Sequence, residues 1–265
     1  VKNMKSEKLD LNSVNQSDFG AVAKAVENSL PKDAILLDKH LLPSRGRYYT
    51  EDIYVKKFST LNIKNLSTIN EKNANYIINS TISSCVLNID TNKILVGDKL
   101  WFIFYLRALT YDDLPFQIKH KCEHCENTVN LEFTLKNLKI DYLDKDVPAE
   151  FITEAGDKIK TRFPTIGMEA VTNRMKNGQD SYETFNEDLL EFAVNIESVN
   201  GKRMDIYNAY QYVANMDAKS FSKLVNEMTN YMFTVRPYAE FTCPDCKETV
   251  AEKVPFSPSF FLPKL

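Results

Sequence analysis

Two short frames, far apart in the chain, constrain this sequence more than any other feature. Cys122–Val129 reads C-E-H-C-E-N-T-V and Cys243–Val250 reads C-P-D-C-K-E-T-V, so both are C-x-x-C-x-x-T-V. Each is flanked by strand-like alternation, in 116–133 and in 238–254, which predicts two β-hairpins with a cysteine pair at each tip. Two residues between cysteines let a tight turn aim both thiolates at one ion. Two such knuckles supply the four tetrahedral sulfurs that zinc prefers. The pairs are separated by 117 residues, so the intervening chain reads as an insertion closed at its base by the metal. The expectation is one structural zinc held by Cys122, Cys125, Cys243 and Cys246. Such a closed site contributes folding energy and no catalysis. Redox chemistry of the thioredoxin kind is disfavoured, because neither pair sits between a buried strand and a helix start.

His120 and His124 could each replace one sulfur. His124 lies inside the knuckle where its equivalent is Asp245, and His120 alternates outward, so both are read as exposed hairpin residues rather than ligands. Cys85 has no partner in sequence and is read as a small buried hydrophobe.

Composition excludes several classes. With 33 Lys+Arg against 36 Asp+Glu, the net charge of −3 argues against broad wrapping of nucleic acid. Only 7 glycines are present and no phosphate-binding glycine motif occurs. The three histidines, with no triad or paired-acid pattern, give no sign of an enzyme. The polar start VKNMKSEKLDLNSVNQSD carries no signal-peptide pattern, and LWFIFYLRAL at 100–109 is too short to span a bilayer, so a cytosolic chain with reduced cysteines is expected.

The fold class expected is α+β: two hairpin zinc knuckles forming a zinc-ribbon-like platform, with mainly helical segments before and between them. Residues 1–40 read as an arm with a short helix at 18–29. Residues 41–149 read as an α/β part with the first knuckle, 150–235 as a mostly helical insertion, and 236–265 as the second knuckle with an aromatic tail. Within these, helices are expected at 71–86, from an Asp98 N-cap through the apolar run, and at about 165–177, 184–194, 205–214 and 218–233, the last capped by Asp217. Gly97 is assigned to the turn before its helix, and Gly156-Asp157 to a hairpin turn. Three prolines argue against a regular terminal helix. The tail residues Phe256, Phe260, Phe261 and Leu262 are candidate partner anchors, expected to dock beside the second hairpin with aromatic surface to spare. Arg45, Arg47 and Tyr48 in LPSRGRYY are a second candidate surface, although a docking turn is the favoured reading.

Several landmarks fall in a recognisable order. Leu42–Tyr49 carries L-P-S-x-G-x-x-Y ahead of Ile53-Tyr54-Val55. Gly97-Asp98 precedes an apolar helix ending in L-R-x-x-T-Y at Leu106–Tyr111. A C-x-x-C hairpin follows, and a second leads into S-F-F-x-P at Ser259–Pro263. This ordered set resembles the baseplate hub and hub-assembly protein family of T-even-type contractile-tailed bacteriophages over about residues 40–265, with Asp112-Asp113 standing where the pattern has a small residue after the tyrosine. The resemblance implies a non-enzymatic component or assembly chaperone of the central baseplate hub that binds hub and tape-measure proteins. It also implies a site of action in the host cytoplasm during assembly, with retention in the virion tail left open. The rival reading is a zinc-ribbon accessory protein that binds nucleic acid in transcription or replication.

Overall fold

The computed structural model describes residues 30–70, 72–178, 185–254 and 257–262, so the helix expected at 18–29 and Phe256 lie outside the described residues. Residues Val1–Ala34 and Ile35–Leu265 form two separate units. In the first, the described residues make a turn in which the Ala34 N–H donates to the Pro31 carbonyl at 3.0 Å.

The second unit begins with β1 (Ile35–Leu37), which pairs antiparallel with β2 (Ile53–Val55). Helices α1 (Thr60–Leu66) and α2 (Ala74–Cys85) follow. Ser59 starts α1 through a capping box with Asn62, each side chain serving the other's backbone N–H. Next comes α3 (Val96–Thr110), then the hairpin β3 (Phe116–Lys121) and β4 (Thr128–Phe133), then β5 (Leu138–Asp141). Strands β6 (Phe151–Ile152) and β7 (Lys158–Thr161) lead into α4 (Ile166–Lys176) and α5 (Glu187–Ala193). Then come β8 (Ile196–Val199), β9 (Lys202–Arg203), α6 (Ile206–Ala214) and α7 (Ala218–Thr229). The second hairpin is β10 (Thr234–Thr242) with β11 (Thr249–Lys253), and α8 (Pro258–Phe261) ends the described chain. The sheets are small and antiparallel, with orders β1-β2, β3-β4, β11-β10-β5 and β6-β7-β8-β9. The α+β class expected from sequence therefore holds. Among the described residues no helix is long and apolar enough to cross a membrane.

Helix α3 is apolar on nearly every side because it is buried on nearly every side: Trp101, Phe102, Ile103, Phe104, Leu106 and Ala108 are all in the core. Its start differs from the expected Asp98 cap. Leu95 is the N-cap, and Asp98 lies inside the first turn with no exposed surface. The carboxylate accepts from the Ser44 N–H (2.9 Å), the Ser44 hydroxyl (2.7 Å) and the Tyr49 hydroxyl (2.8 Å). Tyr49 in turn accepts the Leu95 N–H at 3.0 Å. An acidic group at a helix N-terminus also suits the helix dipole. The LPSRG turn is thus fastened to the head of α3. Gly97 has a different reason from the one expected. It sits within α3, and a Cβ there would meet the Phe233 carbonyl oxygen and ring at 2.5–2.6 Å. Only glycine lets the start of β10 lie this close to the helix.

The foot of α3 holds the tail. Arg107 Nε donates to the Phe260 carbonyl and the Tyr111 hydroxyl to the Phe261 carbonyl, each at 2.8 Å. Phe260 contacts the rings of Phe104, Phe116 and Phe133. The tail therefore docks on α3 and the first hairpin, not on the second as expected. Pro258 opens a single helical turn rather than preventing one, since proline is tolerated at a first helical position. Asp112 and Asp113, where the family pattern has a small residue, both adopt positive φ (52° and 55°) in the turn leaving α3. Aspartate tolerates that conformation better than most side chains.

The 150–235 region has its own apolar centre, made by Phe151, Ile159, Ala193, Ile196, Val199, Ala209, Val213 and Leu224. Beside the expected helices and the expected β6–β7 hairpin it carries β8 and β9, which extend that hairpin into a four-stranded sheet, and α7 packs against β6. Gly156 (φ +90°) makes the expected turn between β6 and β7, and the Asp217 side chain caps α7 by accepting the Ser220 N–H. A mostly buried ion pair, Lys99–Glu169 at 2.7 Å, ties α4 to α3.

Two outcomes follow. Phe260→Ala is expected to destabilise the fold by about 3–5 kcal/mol, as for other buried Phe truncations. Leu262→Ala, at a 46% exposed position, is expected to stay within about 0.5 kcal/mol. Urea denaturation compares them, and equal midpoints would refute the buried tail. The second concerns pH. Burial pushes Asp98 up to about 6, against the lowering effect of its Ser44 and Tyr49 donors. Between its ordinary pKa and about 6 the folded state holds a proton that the unfolded state has released, so this group's contribution to stability falls as pH rises. The fall amounts to about 3 kcal/mol for roughly two pKa units. Melting curves should show this slope in the wild type and lose it in Asp98→Asn.

Candidate metal centre

The two hairpins place four sulfurs together by one repeated local geometry. In each strand pair, alternation sends one face inward, so Ile118, Val129, Leu131 and Phe133 are buried from the first hairpin and Phe241 and Val250 from the second. At the first tip the Cys122 N–H donates to the Asn127 carbonyl (2.9 Å) and the Glu126 N–H to the Cys122 carbonyl (2.9 Å). At the second, Cys243 donates to Glu248 (2.8 Å) and Lys247 to Cys243 (3.0 Å). The residue after each second cysteine, Glu126 or Lys247, has positive φ, 61° and 67°. Burial repeats too: Cys122 and Cys243 are buried, while Cys125 and Cys246 are partly exposed. The matched frames are thus matched knuckles.

They face each other crosswise. Cys122 Sγ lies 3.7 Å from Cys246 Sγ, and Cys125 Sγ lies 3.9 Å from Cys243 Sγ. All four sulfurs fall within 4.8 Å of one another. A tetrahedron with metal–sulfur bonds of about 2.3 Å has edges of about 3.8 Å, so the cluster fits one ion with four thiolates. Among the described residues these four are the sole group of three or more His, Cys, Asp or Glu side chains close enough to hold a metal.

Four sulfurs this close resist ionising together. Cys243 is drawn down to about 7, first by the Cys246 N–H and then by the Asp245 N–H, with the sulfurs of Cys246 and Cys122 adding to them. Cys246 is pushed up to about 12: the Glu248 N–H lowers it, but burial and the neighbouring sulfurs of Cys243, Cys122 and Cys125 outweigh that donor. A divalent cation resolves the conflict by matching the negative charge it gathers.

Contacts around the sulfurs tie one hairpin to the other. Asn127 Nδ2 donates to Asp245 Oδ2 at 2.8 Å. His120 does not point outward as expected. Its side chain is 11% exposed and meets Glu252 of β11 through Nδ1. His124 is exposed, as its frame equivalence with Asp245 requires, and neither histidine joins the sulfur cluster. Cys85 is fully buried on α2, where burial raises its thiol pKa.

The other residues read from sequence as partner contacts are mostly engaged within the chain. Phe260 and Phe261 have no exposed surface, which corrects their reading as anchors for a partner; Leu262 is exposed. Arg45 Nε meets Asp144 Oδ1 at 3.0 Å, and its guanidinium lies 3.6 Å from the centre of the Tyr142 ring. Arg47 reaches Asp146 at 3.2 Å and the Lys145 carbonyl at 2.9 Å. Tyr48 is half exposed and sets its ring edge-on against Phe163. These three hold a docking turn. Sequence reading missed the Asp98–Ser44–Tyr49 cluster and the grip of Arg107 and Tyr111 on the tail. Every one of those residues except Ser44 and Asp98 is large and polar within an otherwise apolar or turn-like run, and all five lie inside the quoted landmark motifs.

Replacing Cys122 or Cys243 by serine is expected to lower bound metal and melting temperature together. A structural four-thiolate ion is worth on the order of 10 kcal/mol of folding energy, and losing one ligand removes several of those. Calorimetry with metal analysis of the same samples checks this, and a variant that melts like wild type would make the ion incidental. Cys85→Ser should leave metal content unchanged.

A protein-family model described as T4 bacteriophage base plate protein matches residues 39–262. No curated protein and no solved structure matches the chain. The matched span takes in the docking turn, α3, both knuckles and the tail up to Leu262, and the chain belongs to the T4 bacteriophage base plate protein family.

Proposed function

We propose that this chain is a non-enzymatic tail-assembly protein, a component or assembly chaperone of the central baseplate hub that binds hub or tape-measure proteins, and that its four cysteines hold one structural zinc. The observation that carries the reading is the sulfur cluster: four thiols from hairpins far apart in sequence, at tetrahedral spacing, in a chain of the baseplate family. Soft thiolates in a tetrahedral set favour zinc over the hard cations. Four protein sulfurs fill its coordination sphere, so Cys122, Cys125, Cys243 and Cys246 would fix the two hairpins relative to each other and leave no position for a substrate. Function then lies in presenting a rigid surface to neighbouring tail proteins.

Elemental analysis of protein purified without chelator should give close to one zinc per chain. Mass spectrometry of purified virions and of isolated hub intermediates separates the two roles: presence in both makes the chain a component, and presence only in intermediates makes it a chaperone. Absence from both would sink the hub reading. Steeply salt-dependent binding to DNA would favour the nucleic-acid alternative instead.

A further inference from the structure

A groove of about 680 Å³ runs along the seam between the main core and the separate core of the 150–235 region. Phe163 and Phe233 line it on the main-core side, Phe192 and Met228 on the other. Met232 stands at its edge, 67% exposed. Aromatic rings and thioethers are the surface that partner side chains most often use as anchor pockets, and they adapt to the shape that enters.

The charges decide what can enter. Glu169 is paired with Lys99, and Lys176 with Glu187 and Glu191. Asp188 is exposed to solvent at the start of α5. Arg162 remains. Its Nε donates to the Val194 carbonyl at 3.0 Å, at the end of α5. Among the described residues its side chain has no other hydrogen bond and no ion pair. It is partly exposed, with the carboxylates of Glu197 and Asp205 and the cation of Arg203 in its neighbourhood, and its terminal nitrogens have no hydrogen-bond acceptor among the described residues. A neutral apolar occupant would strip water from those nitrogens without supplying an acceptor. A carboxylate would meet the guanidinium fork.

The geometry points to a docking groove for an extended segment of a different protein, one that seats apolar side chains between Phe163, Phe192 and Met228 and sets an Asp or Glu against Arg162. The choice of partner class, another baseplate protein, rests on the tail-assembly reading; the groove chemistry does not.

The test uses the full chain and short overlapping synthetic peptides that tile the other baseplate proteins of the same phage, with binding read by fluorescence polarisation. Peptides that bind should carry an acidic residue beside apolar ones, and should weaken about tenfold or more when that residue becomes its amide, the scale of a lost charge-assisted pair. Arg162→Gln should weaken binding to the same degree. Because Arg162 also holds the end of α5, a second pair of variants acts at exposed Met232. Met232→Glu should weaken the acidic peptides and Met232→Lys should not, with melting temperature unchanged in both. The proposal is overturned if no peptide binds, or if binding ignores the acid-to-amide change and the charge at position 232. Self-association in sedimentation that Met232→Glu abolishes would also overturn it, by making the groove a contact between copies. A binding peptide from a baseplate protein outside the hub would support the groove while counting against the hub assignment.

Discussion

Helix α3 is the part on which the rest of the fold depends. A helix this apolar must be covered on every side, and the chain brings segments from three distant regions to do it. Each is fixed at one polar or steric point: Asp98 takes the Ser44–Tyr49 turn, Gly97 admits Phe233, and Arg107 with Tyr111 takes the tail carbonyls. Burying a charged group is unfavourable unless hydrogen bonds replace its water: Asp98 receives three, while Arg107 places Nε on the Phe260 carbonyl and Nη1 on the Leu114 carbonyl and leaves Nη2 buried without an acceptor. Apolar burial drives the collapse around α3; the polar groups make the result specific.

The sulfur cluster does a second job. The two hairpins belong to separate sheets, and no strand of one pairs with a strand of the other. What joins them at the tips is sulfur, Asn127–Asp245 and His120–Glu252. The matched turns bring the two crosswise sulfur pairs to nearly equal separations, 3.7 and 3.9 Å. A repeat that looks like a short echo in sequence is, in space, a local symmetry around one point.

What was legible in the sequence follows from how local its cause is. The hairpins, the Gly156 turn, the Asp217 cap and the helices after residue 165 are set by neighbours within a few residues, and periodicity finds them. The four metal-ligand candidates were legible because spacing within each pair is local and the frames match. The reading failed where a residue answers to something distant. Asp98 looked like a cap because aspartate is one of the favoured N-cap residues, yet it serves a turn about fifty residues earlier. The tail looked available because prolines and phenylalanines suit an anchor, yet its acceptors belong to Arg107 and Tyr111. The short strands β8 and β9 are too brief for alternation to declare them, and the groove at Arg162 needs two cores to meet before it exists.

The grip of Arg107 on Phe260 also bears on the order in which the molecule comes together. It closes a loop of 153 residues, and the Ser44–Asp98 contact closes one of 54. Loop closure is entropically unfavourable before its contacts reward it, and the disfavour grows with length, so the longer closure is the slower of the two. Until it is made, Phe104, Phe116 and Phe133 lack the ring that covers them. A chain at that stage presents an aromatic surface on α3 and the first hairpin that the finished protein conceals, so the danger of wrong association is concentrated in the interval before residue 260 arrives.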